Sequence, residues 1–288
     1  MRVCHTTLLG TLCILTILTL TGCGGAATPA PAEPVGRLNV VVSIVPQQYF
    51  VERIGGEHVD VTVMVPPGFS PATYEPKPEQ LQTLSEADAY VRMRVPFEEA
   101  WMERIVSANQ DMLIIDQAEG IERIGDKDPH IWLSPPLVRV QAQTIYDGLV
   151  KLDPDHEADY EANLETFLAD LDELDADVEE TLSHLANRRF MVFHPAWAYF
   201  ARDYGLEMIP VQIEGSNPSA AEMADLIQTA QENNIKVIFA QPEFSTESAD
   251  AIAQEIGGQV LLISPLAPDW LDNLRRVADT FAEVLAEQ

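Results

Sequence analysis

The sequence predicts an α/β fold in which two parallel-sheet lobes are bridged by one long rigid α-helix, with the ligand site in the interlobe cleft. Two observations carry that expectation. From Leu38 onward, short β-branched runs alternate with helical segments, the pattern that builds parallel sheets. The alternation is broken once, by the stretch from Asp155 to Arg188, which no Gly or Pro interrupts. Its apolar positions Tyr160, Leu164, Phe167, Leu171, Leu174, Val178, Leu182 and Leu185 step by threes and fours, so they form one stripe on one helix. Such a helix would be roughly 50 Å long, too long for a crossover inside one lobe. A coiled-coil arm is the alternative, but α/β alternation resumes directly after it.

In order, strands are expected at Leu38 to Ile44, Val59 to Met64 and Met112 to Asp116. Helices are expected at Gln47 to Ile54, Glu79 to Ser85, Phe97 to Ala108 and Pro136 to Leu149. The second half gives strands Phe190 to Phe193, Glu207 to Ile213, Val237 to Ala240 and Gln259 to Ile263. Its helices are Ala196 to Tyr204, Ser219 to Asn233, Thr246 to Ile256 and Leu271 to Ala286, with Gly257-Gly258 as a helix stop. The expected organisation is a signal segment at 1–22, an anchor and tether at 23–37, a first lobe at 38–152, the linking helix at 153–188 and a second lobe at 189–288.

The amino terminus carries its own chemistry. Arg2 precedes an apolar run, Leu8 to Leu20, of signal-peptide length and too short to span a bilayer. It ends in Leu20-Thr21-Gly22-Cys23, which resembles the bacterial lipobox, whose cysteine takes the lipid. An ordinary cleaved signal with a chance cysteine is the alternative. With Cys4 and Cys13 removed and Cys23 acylated, none of the three cysteines remains for a disulfide or a thiolate metal site. Pro29, Pro31 and Pro34 among small residues read as a tether.

Charge narrows the partners. Asp and Glu number 46 against 17 Lys and Arg, a formal net charge of −29. Such a surface repels nucleic acid and attracts cations, although general solubility or salty surroundings would explain it equally.

Ligands of open α/β sheets bind beyond the carboxyl ends of strands, so the informative residues lie in the loops that follow them. His130 lies in a loop entering a helix, His194 follows the strand Phe190-Met191-Val192-Phe193, and Asp269 follows the last strand. Imidazole and carboxylate suit zinc, manganese and ferrous iron. Taken alone, a loop histidine is more often a capping or packing residue than a ligand.

Four segments resemble the metal-binding class of ABC-transporter solute-binding proteins. They are Met64-Val65-Pro66-Pro67-Gly68-Phe69-Ser70-Pro71-Ala72-Thr73-Tyr74-Glu75-Pro76, Asp128-Pro129-His130-Ile131-Trp132-Leu133, Phe193-His194-Pro195-Ala196-Trp197-Ala198-Tyr199-Phe200 and Gln241-Pro242-Glu243-Phe244-Ser245. They occur in order, and the resemblance extends over essentially everything from Leu38 onward. It implies a monomeric extracytoplasmic lipoprotein that captures Zn2+ or Mn2+ as transported ligand and hands it to an ABC permease. It also implies metal ligands at His130, His194 and Asp269. A surface adhesin role is compatible with the same resemblance.

The family's first histidine has no counterpart, because its place is taken by Ala72. Three readings stay open: water completes the site, another side chain substitutes, or the ligand is not a bare ion. Glu214 is the first candidate substitute, ahead of His58 and Glu75. No histidine-rich acidic loop lies between Gly120 and Pro129, which leans toward manganese or toward zinc without a gathering loop. A metal-dependent hydrolase with an open-coordination His-His-Asp site is the alternative from another functional class. The tryptophans Trp101, Trp132, Trp197 and Trp270 read as packing residues.

Overall fold

A computed structural model describes residues 36–212 and 215–287. The signal segment, Cys23 and most of the tether therefore lie outside the described residues, as does Glu214.

The first half builds a four-stranded parallel sheet from β1 (Leu38–Val42), β2 (Val59–Val63), β3 (Ala89–Arg92) and β4 (Leu113–Asp116), in the order β2-β1-β3-β4. Helices α1 (Val45–Gly55), α2 (Pro78–Ser85), α3 (Pro96–Ala108) and α4 (Pro135–Leu152) accompany it. Strand β3 is an addition to the expected elements. Its Ala-Tyr-Val-Arg is too short to show a period, yet Ala89, Tyr90 and Val91 are fully buried. Helix α4 starts one residue early and runs three residues past its expected end. Ser134 caps it by accepting from the Leu137 amide at 3.2 Å, with Pro135 and Pro136 in the first turn.

Helix α5 spans Glu157–Ser183 after a 3-10 turn at Pro154–His156. At 27 residues it is about 40 Å long, shorter than expected because the flanks do not continue the helix. The stripe from Tyr160 to Leu182 is buried throughout, and Leu185, beyond the helix end, is partly buried. Helix α5 packs on α1 and α4.

The second half repeats the plan. Strands β5 (Arg189–Val192), β6 (Glu207–Pro210), β7 (Val237–Ala240) and β8 (Gln259–Leu262) form a parallel sheet in the order β6-β5-β7-β8. The helices are α6 (Ala198–Asp203), α7 (Ala220–Glu232), α8 (Glu247–Glu255) and α9 (Trp270–Ala286). Ser219 and Glu222 exchange capping hydrogen bonds at the start of α7. After α8 the chain turns through Gly257 at φ +64°, and a Cβ on Gly258 would stand 2.0 Å from the Lys236 carbonyl oxygen. Only glycine fits there.

Helix α9 returns to pack on α5. Phe281 meets Phe190 and Phe239 of the second sheet at 4.6 and 4.8 Å, while Trp270 meets Phe50 of α1 at 5.0 Å. One hydrophobic core therefore runs through both halves by way of α5 and α9, with a smaller one on the far face of the second sheet. Among the described residues, no helix is long and apolar enough to cross a membrane.

Candidate metal centre

In each sheet the strand order reverses between two neighbours, β1 and β3 in the first and β5 and β7 in the second. The crevice beyond such a reversal is where open α/β sheets place ligands. A cleft of about 790 Å³ lies here, walled by Pro71, Ala72, Val95, His130 and Trp132 from the first half and His194, Met208, Glu243, Phe244 and Leu266 from the second.

His130 and His194 meet in this cleft. Their Nε2 atoms are 3.3 Å apart. Each ring is fixed from behind. Asp128 accepts from the His130 backbone amide at 3.0 Å and lies 2.7 Å from its Nδ1. Gln212 Oε1 is 2.9 Å from His194 Nδ1. Both partners are acceptors, so each Nδ1 carries the proton and each Nε2 presents its lone pair to the cleft. Such orienting partners are characteristic of metal-ligating histidines. Burial, reinforced by the neighbouring His130, pushes the His194 imidazole down from 6.5 to about 4, against the Gln212 bond that raises it. The ring is therefore neutral near pH 7, as coordination requires.

The backbone around His194 is also held. Its carbonyl accepts from Gln241 Nε2 at 3.0 Å and its amide donates to Gln241 Oε1 at 3.4 Å. Phe244 lies against the imidazole with ring centroids 4.9 Å apart. Between them in sequence, Glu243 faces the cleft, and its Oε2 is buried without a partner. Burial raises the Glu243 carboxyl above its usual range.

Of the other sequence-expected ligand positions, those among the described residues are not brought to the pair. Asp269 is the residue before α9, half exposed and paired with Arg276 at 2.7 Å. The loop after β8 reaches the cleft through Pro265 and Leu266 instead, which corrects the expectation that Asp269 faces the histidines. The cause is the start of α9, which turns Asp269 toward the helix surface two turns before Arg276. His58 stacks on His156 at 3.9 Å and bonds Asp159, outside the cleft, and Glu75 is exposed. Ala72 does line the cleft. Trp132 packs and lines the cleft at once, 5.1 Å from the His130 ring. Among the described residues, no three His, Cys, Asp or Glu side chains stand close enough together to hold an ion as placed.

Sequence reasoning assigned no role to Asp128, Gln212 or Glu243. Asp128, two residues before His130, had a readable signal in the reach of an Asp side chain to the amide two residues on. Glu243 follows β7 as His194 follows β5, so the strand-end rule that selected the one could have selected the other.

Similarity to known proteins covers most of the chain. A family described as zinc-uptake complex component A, periplasmic, matches residues 40–284. The chain is 30% identical over 272 residues to the high-affinity zinc uptake system protein ZnuA of Bacillus subtilis, covering 86% of this chain and 85% of that one. A crystal structure of ZnuA superposes with a TM-score of 0.84 at 51% identity, over 86% of this chain and 99% of that one. The solute-binding protein FpvC of Pseudomonas aeruginosa, in complex with Mn2+, superposes with a TM-score of 0.76 at 26% identity, over 87% and 99% of the two chains.

Proposed function

Because the chain belongs to the family of periplasmic zinc-uptake components, we propose that it captures a divalent transition metal outside the cytoplasm and delivers it to an ABC-type importer. Zinc is the first choice of cargo and manganese the second, since relatives are named for zinc uptake and one structural neighbour holds Mn2+. The observation that carries the reading is the 3.3 Å between the two Nε2 atoms. Two nitrogens bound to one tetrahedral Zn2+ at about 2.05 Å each are separated by about 3.3 Å. The pair already has the spacing of two vertices of one coordination tetrahedron, and each ring has its own orienting acceptor.

Capture and delivery require affinity and release, with no bond made or broken in the cargo. The hydrolase alternative gains no support from relatives, which are named for uptake and binding. Cys23 is the proposed lipid attachment point, holding the protein as a monomer at the membrane beside its permease. Replacing Cys23 with Ala should move the protein from the membrane to the soluble extracytoplasmic fraction.

Titration of the metal-free protein with Zn2+ and Mn2+ tests the site. His130→Ala and His194→Ala should each lower affinity by orders of magnitude while the circular dichroism spectrum stays that of the parent. Unchanged binding in the double variant would remove the reading.

A further inference from the structure

Among the described residues, Ala72 offers no donor and Asp269 is turned away to Arg276, so neither position supplies the two imidazoles with an anionic partner. Two neutral rings leave the charge of a buried dication uncompensated, and burying an unpaired charge is strongly unfavourable. The described residues lining the cleft include two carboxylates, Asp128 and Glu243. Asp128 is engaged with the His130 amide and ring. Glu243 is not engaged in this way.

From this arrangement we infer that Glu243 is the carboxylate ligand of this chain's metal site, completing the set begun by His130 and His194 in place of the absent donor at Ala72. The inference rests on the metal-binding reading above and adds a ligand to it. Strands β5 and β7 are hydrogen-bonded neighbours on either side of the strand-order reversal, and their following loops carry His194 and Glu243. The two loops are tied together by Gln241 and by Phe244 against the His194 ring, so Glu243 moves with that imidazole. Its Oε2 is buried in the cleft wall with no hydrogen-bond donor. An acceptor stripped of water and left unpaired is disfavoured, and an arriving cation supplies what it lacks. As placed, the three groups do not converge. Bringing the carboxylate to the two imidazoles requires rotation of the three-torsion Glu243 side chain.

The test compares Zn2+ affinity, by competition with a chromophoric chelator, and the visible spectrum of the Co2+-loaded protein. The variants are Glu243→Gln, Asp269→Asn, His194→Ala and Glu243→Gln combined with Ala72→His. Glu243→Gln should lose about 100-fold or more in Zn2+ affinity, at or beyond the upper end of the about 10- to 100-fold cost of removing an orienting partner. Its Co2+ bands should shift, because an anionic oxygen has left the coordination sphere. Asp269→Asn should match the parent, and Ala72→His should restore binding to Glu243→Gln. Parent-like affinity or unchanged Co2+ bands in Glu243→Gln, with binding lost in His194→Ala, overturns the role of Glu243 alone. Retained binding in His194→Ala as well would overturn the metal site itself. Circular dichroism and thermal melting of each variant separate loss of a ligand from loss of the fold.

Discussion

The indole of Trp270 donates a 2.8 Å hydrogen bond to the backbone carbonyl of Trp132, and the indole of Trp132 donates at 2.7 Å to the carbonyl of Pro265. Residues 138 positions apart are thus joined beside the cleft, with Trp132 forming part of its wall. Trp270→Phe keeps most of the apolar bulk and deletes the donor, leaving the Trp132 carbonyl buried and unpaired. The expected cost is about 1–3 kcal/mol in urea denaturation. Zinc affinity should fall modestly, because His130 stands two residues from the loosened carbonyl.

Asp128→Ala should act on the metal without being a ligand. It removes the acceptor that fixes both the His130 ring and its tautomer. The loss of an orienting partner is expected to weaken Zn2+ binding by about 10- to 100-fold. Calorimetric titration checks it, and Asp128→Asn, which keeps an acceptor oxygen, should fall between the parent and Asp128→Ala.

Acid should act through His194. Its ring is pushed down from 6.5 to about 4 in the folded chain, so between those values the unfolded chain binds the extra proton and the folded chain does not. Stability contributed at this position therefore falls as the pH drops from 6.5 toward 4 and is level above 6.5. Denaturation of the metal-free protein at several pH values should show this decline, and His194→Asn should reduce it. Direct imidazole titration by NMR locates the midpoint.

Restoring an imidazole at the cleft wall is the complementary experiment. Ala72→His places a donor on a segment that already lines the site. Zn2+ affinity in the otherwise unaltered chain should rise, and the gain should be smaller than in the Glu243→Gln background, where a position stands open.

The central helix carries the largest single-residue stability effect expected here. Phe167 is fully buried between Tyr49 and Phe50, at 6.0 and 5.9 Å. Phe167→Ala should cost about 3–5 kcal/mol by thermal or chemical denaturation.

Much of the fold was legible because its signals are local. The stripe from Tyr160 to Leu182 announces a long one-sided helix, and Val237 to Ala240 falls where its four apolar residues place it. Ala89–Arg92 escaped notice because four residues carry no period, and their burial comes from β1 and β4 on either side. At the site, the candidacy of His130 was legible from motif wording, and that of His194 from motif wording and its place after a strand. Their 3.3 Å approach was not, since it depends on how two sheets are set by α5 and α9. Asp269 misled because a carboxylate in the right loop can still be claimed by its own helix, as Arg276 claims this one. Glu243 lies within the Gln241-to-Ser245 motif, but its unpaired oxygen is visible only in three dimensions.

The shared core through α5 and α9 has a mechanical consequence. Swinging the halves apart would tear Phe281 from Phe190, or Trp270 from Phe50, and expose a close-packed interior to water. A jaw that opens and shuts as a whole is thus an expensive way for this molecule to load and unload. Shorter movements of the loops after the strands disturb far less, and the side chains they carry are the ones that would grip and let go of an ion.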